Sequence, residues 1–181
     1  MYKVQKTKFD GLFIINLDYK LDDRGYFVKN FKIDFFINNK FKFKIKEINI
    51  SYNKLRGTLR GMHYQKTPFS ETKIIHCISG EIYDVAIDLR KKSATYTKSF
   101  AYKLCEGDGK MIYIPKGFAH GYQTLKQKTI VQYFVDEKYN KKYEKRIKYN
   151  DPKFSIKWPL KISSISKKDM SLTGKQWVKK I

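Results

Sequence analysis

Residues 109–122 read "GKMIYIPKGFAHGY", an apolar strand-like run interrupted by one proline, three glycines and one histidine. In this spacing Pro115 sets a turn and Gly117 accepts a backbone angle that other residues avoid. The chain then re-enters an apolar wall with His120 turned inward. A second histidine, His63, follows Gly57 after five residues in "GTLRGMHYQ". Imidazole ordinarily titrates near neutrality, so a histidine presented to a cavity suits the taking and returning of a proton. The third histidine, His76 in "IIHC", lies in an apolar run and reads as structural.

The elements that position these histidines are strands. "GEIYDVAIDLR" (80–90) alternates Tyr83, Val85, Ile87 and Leu89 with Ile82, Asp84, Ala86 and Asp88, which predicts a strand with one apolar face. "KTIVQYFV" sets Val131, Tyr133 and Val135 against Gln132 and Phe134 in the same way. Glycine and proline punctuate the chain at Gly57, Gly61, Gly80, Gly107–Gly109, Pro115–Gly117 and Gly121. Many short strands at this spacing point to an all-β sandwich or barrel. "FKIDFFINNK" (31–40) predicts an early helix of about three turns, and the tail after Trp158-Pro159 a loop with one or two short helices. No repeat or linker divides the 181 residues, so residues 1–181 are read as a single domain.

Composition bounds the partners. A net charge of +22 would draw any polyanion. The lysines are scattered along the whole chain rather than held in one arm, and no nucleic-acid-binding motif accompanies them. Solvated lysine faces are therefore expected, with no nucleic acid as partner. The apolar runs are too short for membrane insertion, and no secretory signal is evident at the start. Cys77 and Cys105 have no paired spacing and read as free thiols of a reducing compartment, which favours the cytoplasm.

The Gly109–His120 spacing resembles the second signature of the cupin superfamily, a double-sheet jelly roll (double-stranded β-helix). The first signature ends in His-x-His and continues to a glutamate; here His63 is kept, but Gln65 replaces the second histidine and the glutamate is missing. His63 and His120 alone are too few for a stable transition-metal site, so no metal is expected.

Six blocks sharpen the resemblance: "DDRGYF" (22–27), "LRGMHYQ" (59–65), "GEIYDVAIDLR" (80–90), "IPKGFAHGY" (114–122), "YNDPKFSIKWP" (149–159) and "ISKKD" (165–169). Their order is similar to that of the dTDP-4-dehydrorhamnose 3,5-epimerases, over residues 10 to 170 or so. The resemblance implies a cupin fold with short helices at its ends, a homodimer with an exchanged N-terminal segment, and a nucleotide-diphosphate sugar as substrate, with no cofactor. It also implies the chemistry: a base removes the proton beside a ketone, a cation holds the enolate, and an acid returns a proton to the other face. On the matching positions His63 is the base, Asp169 its dyad partner, Lys73 the cation and Tyr133 the acid. Arg60 and Arg24 suit the diphosphate, since a guanidinium fork fits phosphate better than an ammonium. Because the N-terminal segment crosses the dimer in this family, Arg24 would serve the second subunit. Lys29, Glu47, Asn49, Ser51, His120, Tyr139, Glu144 and Lys168 complete the expected binding set, Tyr139 as the ring that stacks on the base.

Without the resemblance each residue has a plainer reading. Ser166 to Asp169 fits a helix capping box, Tyr133 is one of 14 tyrosines, and Lys73 is one lysine among many. Two positions depart from the family pattern: Lys29 stands where glutamate is usual, and Glu47 where glutamine is. Both changes alter charge on segments that meet nucleotide and sugar, which leaves CDP- or GDP-linked sugars, a C3-only epimerase, and a non-catalytic nucleotide-sugar-binding cupin as alternatives.

Overall fold

The computed structural model describes residues 2–170. Before the first helix come β1 (Lys3–Lys6), β2 (Phe13–Asn16), β3 (Lys20–Asp22) and β4 (Gly25–Phe27). Helix α1 (Ile33–Asn38) leads to β5 (Glu47–Asn53), β6 (Thr58–Gln65), β7 (Lys73–Ser79) and β8 (Glu81–Asp88). Then follow β9 (Ser99–Cys105), β10 (Lys110–Ile114), β11 (Phe118–Thr124) and β12 (Thr129–Val135). Short strands β13 (Glu144–Arg146) and β14 (Ser164–Ile165) precede α2 (Lys167–Met170). The tail reading beyond residue 170 lies outside the described residues.

Apart from β3 and β4, which pair as a separate hairpin, these strands form the two facing sheets of a jelly roll. One runs β1-β2-β10-β7-β12-β5; the other runs β13-β6-β11-β8-β9, with β14 parallel to β6. The inner faces meet in one apolar core: Ile14, Ile75, Ile112 and Val131 from the first sheet pack with Ile82, Ala86, Leu104 and Phe118 from the second. Burying a side chain of this size contributes about 1.5–3 kcal/mol.

Two expectations need correction. The 83/85/87/89 face of β8 is apolar, as its alternation predicts, but it is the outer face. Val85 and Ile87 pack there under Ile147 and Phe154, with Ile156 and Trp158 against them. The opposite face carries Ile82 and Ala86 into the core, so β8 is buried on both sides and even Asp84 and Asp88 are fully enclosed. Helix α1 has six residues rather than three turns. Lys32 offers no side-chain cap at its start, and Lys40 just past its end adopts φ 58°, a left-handed conformation that stops the helix. The phenylalanines of this segment nevertheless do a core's work. Phe31, Phe36, Phe41 and Phe43 cover the outer face of the first sheet over Ile74, Met111 and Phe134.

His76 is structural, on the opposite face of β7 from Ile75 and Cys77. It is 3% exposed, and among the described residues its Nδ1 has no hydrogen-bond partner. Burial pushes its pKa down to about 4, against about 6.5 when unfolded. Because the folded state binds this proton more weakly, the stability is fully present above the unfolded value and is lost as pH falls towards the folded one. The expected loss is about 3 kcal/mol. His76→Gln should therefore flatten the fall of Tm between about pH 7 and pH 4. Parallel curves for wild type and variant would assign the acid lability to another group.

Candidate active site

Between the sheets opens a cavity of about 440 Å³, lined among others by Ser51, Arg60, His63, Lys73, His120, Tyr133, Arg146 and Asp169. A neighbouring lobe of about 320 Å³ shares His63, Lys73 and Tyr133 and adds Glu47, Asn49, Tyr64, Glu71, Tyr139 and Glu144.

Arg60 and His63 are three apart on β6, a spacing that puts side chains of a regular strand on opposite faces. A β-bulge changes this. Across β11, His63 pairs with His120 but Arg60 pairs with Tyr122, so three steps on one strand match two on the other. Both side chains therefore reach the same cavity. The bulge requires close backbone approach: a Cβ on Gly61, at φ 115°, would lie 2.6 Å from the Gly121 Cα. The glycine punctuation in the sequence thus marks the place where the His63 imidazole and the Arg60 guanidinium are brought together.

His63 Nε2 lies 2.7 Å from Asp169 Oδ1. Asp169 is 4% exposed, and its backbone N–H donates to the Ser166 hydroxyl at 3.1 Å. Half of the predicted capping box therefore forms, while the Asp169 side chain turns away to the histidine. Burial works against the Asp169 charge, but hydrogen bonds and charge from His63, with help from Ser166 and the Gly61 backbone, hold its carboxyl below the usual carboxylate range. Arg146, the Cα partner of His63 across β13, places its Nε 3.4 Å from Asp169 Oδ1 and donates to Glu144 at 2.7 Å. With Nε2 engaged by the carboxylate, the other ring nitrogen of His63, Nδ1, is the atom left for proton transfer.

Tyr133 stands on β12, in the sheet opposite His63. Burial raises its phenol pKa, while the charge of Arg60 opposes the rise. A phenol so placed keeps its proton at neutral pH and has a cation nearby to stabilise the anion left after donation. Lys73 enters at the start of β7, its ammonium 2.9 Å from the Glu71 carboxylate, with both side chains largely buried. Gln65, at the position of the absent cupin histidine, is a clasp. Its amide donates to the carbonyls of Phe69 and Lys138 and accepts from the Asn140 N–H, tying down the loops that flank Lys73 and Tyr139. Among the described residues, no three His, Cys, Asp or Glu side chains gather as a metal-ligand group.

The cavity thus unites His63, Asp169, Tyr133 and Lys73 with Ser51, Arg60 and His120, while Glu47, Asn49, Tyr139 and Glu144 line the second lobe. Three predicted residues lie apart within this chain. Arg24 sits at the tip of the exposed β3–β4 hairpin, paired with Asp22. Lys29 lines a separate small cavity with Tyr2, Asp18 and Lys32, and Lys168 is exposed on α2. Sequence reasoning missed Glu71, Asp84, Arg146 and the Asn53–Arg60 contact, in which the guanidinium Nε donates to Asn53 Oδ1 at 2.7 Å. Arg146 carried one legible signal, a single arginine within the lysine run "KKYEKRIK".

A jelly roll with a histidine–aspartate pair on one wall of its cavity and a phenol on the other has the constellation of a cupin-type carbohydrate epimerase, an isomerase. The chain belongs to the dTDP-4-dehydrorhamnose 3,5-epimerase family, whose model matches residues 6–175. It is 37% identical to the dTDP-4-dehydrorhamnose 3,5-epimerase of Methanothermobacter thermautotrophicus, over 93% of this chain and 91% of that one. Among solved structures, the Bacillus anthracis epimerase with TDP and pyrophosphate bound superposes with a TM-score of 0.92 at 36% identity, covering 96% of this chain and 99% of that one. The Legionella pneumophila enzyme in complex with dTDP-4-keto-L-rhamnose gives 0.88 at 31% identity, covering 93% and 90%.

Proposed function

We propose that the protein inverts C3 and C5 of a dTDP-linked 4-keto-6-deoxyhexose, supplying a deoxysugar for surface polysaccharide. The observation that carries this reading is the pair of proton-transfer groups on opposite walls, His63 with Asp169 on one sheet and Tyr133 on the other. Removal of a proton next to the ketone by His63 gives an enolate, whose oxygen Lys73 stabilises. Tyr133 then returns a proton from the far side, which inverts the centre. Each such acid or base step is worth about 10²–10⁴ in rate. No step calls for a cofactor.

Arg60 faces the diphosphate, while Asn49, Glu47, Glu144 and Tyr139 hold the nucleoside end. Homodimerisation fits the exposed apolar side chains of the edge strand β5, where Ile48, Ile50 and Tyr52 are 56%, 69% and 55% exposed. The projecting β3–β4 hairpin, with Leu21 79% exposed, would then bring Arg24 and Lys29 to the second subunit. No described helix is long and apolar enough to cross a membrane.

The test is proton NMR in D₂O with dTDP-4-keto-6-deoxyglucose. Deuterium entering both C3 and C5 with inversion supports the reading. Exchange at C3 alone would make the protein a mono-epimerase, and exchange only with a CDP- or GDP-linked sugar would reassign the nucleotide. Glu71 carries a related expectation. Glu71→Gln removes the anion that holds the Lys73 ammonium, so kcat should fall about 10-fold with KM little changed. Glu71→Asp should recover part of the loss; a KM effect alone would make Glu71 a binding residue instead.

A further inference from the structure

The cavity holds a second carboxylate–imidazole pair that the mechanism above leaves unused. His120 Nε2 lies 2.7 Å from Asp84 Oδ2, the same separation as in the His63–Asp169 pair. His63 and His120 are direct cross-strand partners, so two imidazoles stand side by side on one wall, each backed by its own carboxylate. The sheet builds the second pair. Asp84 is the Cα partner of Tyr122, two residues from His120, which makes it a diagonal neighbour on the same face.

The two pairs differ in their surroundings. Asp169 has a second cation beside it, Arg146, with Nε 3.4 Å from Oδ1, so its charge does not depend on His63 alone. Asp84 is fully buried, and among the described residues its only ion pair is with His120 and its Oδ1 has no hydrogen-bond partner. A buried carboxylate left with one short contact and an orphan oxygen is costly unless its partner carries the compensating charge. Around His120, the other ionisable groups of the cavity are Arg60, His63, Lys73, Tyr122, Tyr133, Arg146 and Asp169.

From this asymmetry we infer that Asp84 is a positioning residue that holds His120 as an imidazolium, Nε2–H on the carboxylate and Nδ1–H offered to the cavity as a donor to the substrate's developing oxyanion. The two neighbouring histidines then have opposite tasks: His63 takes protons and His120 donates a hydrogen bond without giving its proton up. The idea rests on the epimerase reading for its catalytic part, whereas the charge state of His120 is independent of which sugar is used.

The chain has three histidines, so their side-chain ¹⁵N signals can be assigned with single substitutions. In the wild-type protein near neutral pH, with no substrate, His120 should show two protonated ring nitrogens, and His63 and His76 one each. In Asp84→Asn the His120 signal should become that of a neutral ring, the His63 signal should persist, and kcat should fall about 10- to 100-fold with KM altered much less. A neutral His120 in the wild type overturns the proposal whatever the variant does. So does an Asp84→Asn enzyme that loses the imidazolium signal yet keeps kcat within twofold. If Asp84→Asn does not fold, His120→Gln supplies the kinetic arm, and undiminished kcat there overturns the donor role. An inactive wild type with an imidazolium His120 would reject the substrate reading and leave the Asp84–His120 pairing standing.

Discussion

His63→Ala should lose deuterium incorporation at both sugar carbons by about 10³-fold or more, while nucleotide binding changes little. The expectation follows from position. His63 is the imidazole whose Nε2 is held by Asp169 at 2.7 Å, which fixes the ring and turns Nδ1 to the cavity. Asp169→Asn separates orientation from basicity. The amide can still meet Nε2, but it cannot favour the charge that the ring acquires when it takes a proton, so exchange should fall by about 10²–10³. Such a variant should also lose stability, since Arg146 would face a neutral group in place of its carboxylate. Isotope exchange by NMR and nucleotide affinity by calorimetry check both arms. Exchange that survives His63→Ala within tenfold would give the base role to another group.

Much of this site could be read from the chain because its local devices are written in local residues. Period-two alternation predicted β8 and β12, and glycine spacing predicted where strands turn. What escaped were partnerships made between distant segments. Asp169 meets His63 across 106 residues of sequence, and Gln123 and Leu160 lock the C-terminal segment to β11 across 37. Nothing local in "GEIYDVAID" says that the C-terminal chain will cover its outer face, so the 83/85/87 stripe predicted an apolar face without saying which side was the barrel interior. Arg60 and His63 fall on opposite faces by simple strand counting; only the β6–β11 register reveals the bulge that reunites them. Glu71 and Asp84 looked like ordinary strand-flanking or strand acids, because their role comes from what faces them. The family resemblance supplied the expected catalytic set, and the fold brings those residues to one cavity.

Tyr133→Phe should separate proton exchange from inversion. The substitution keeps the ring among the apolar side chains it packs against and removes only the hydroxyl, so the barrel should fold as before. His63 and Lys73 remain, and the proton next to the ketone can still be taken and the enolate held. What is missing is the donor on the opposite wall. The enolate can then recover a proton only from the His63 side, or slowly from water, and return mostly to its starting configuration. In D₂O the expected result is deuterium entering with retention, at a rate within about tenfold of wild type, while inversion falls by about 10²–10⁴. The pH dependence offers a second reading. Burial raises the Tyr133 pKa, so in wild type the acid stays protonated well above neutrality and inversion should persist into alkaline solution. Arg60→Met removes the charge that opposes this rise, making the phenol a weaker acid and slowing inversion more than exchange. Equal losses of exchange and inversion in Tyr133→Phe would mean that the phenol helps to form or hold the enolate. The stereochemical choice would then pass to another group in the cavity.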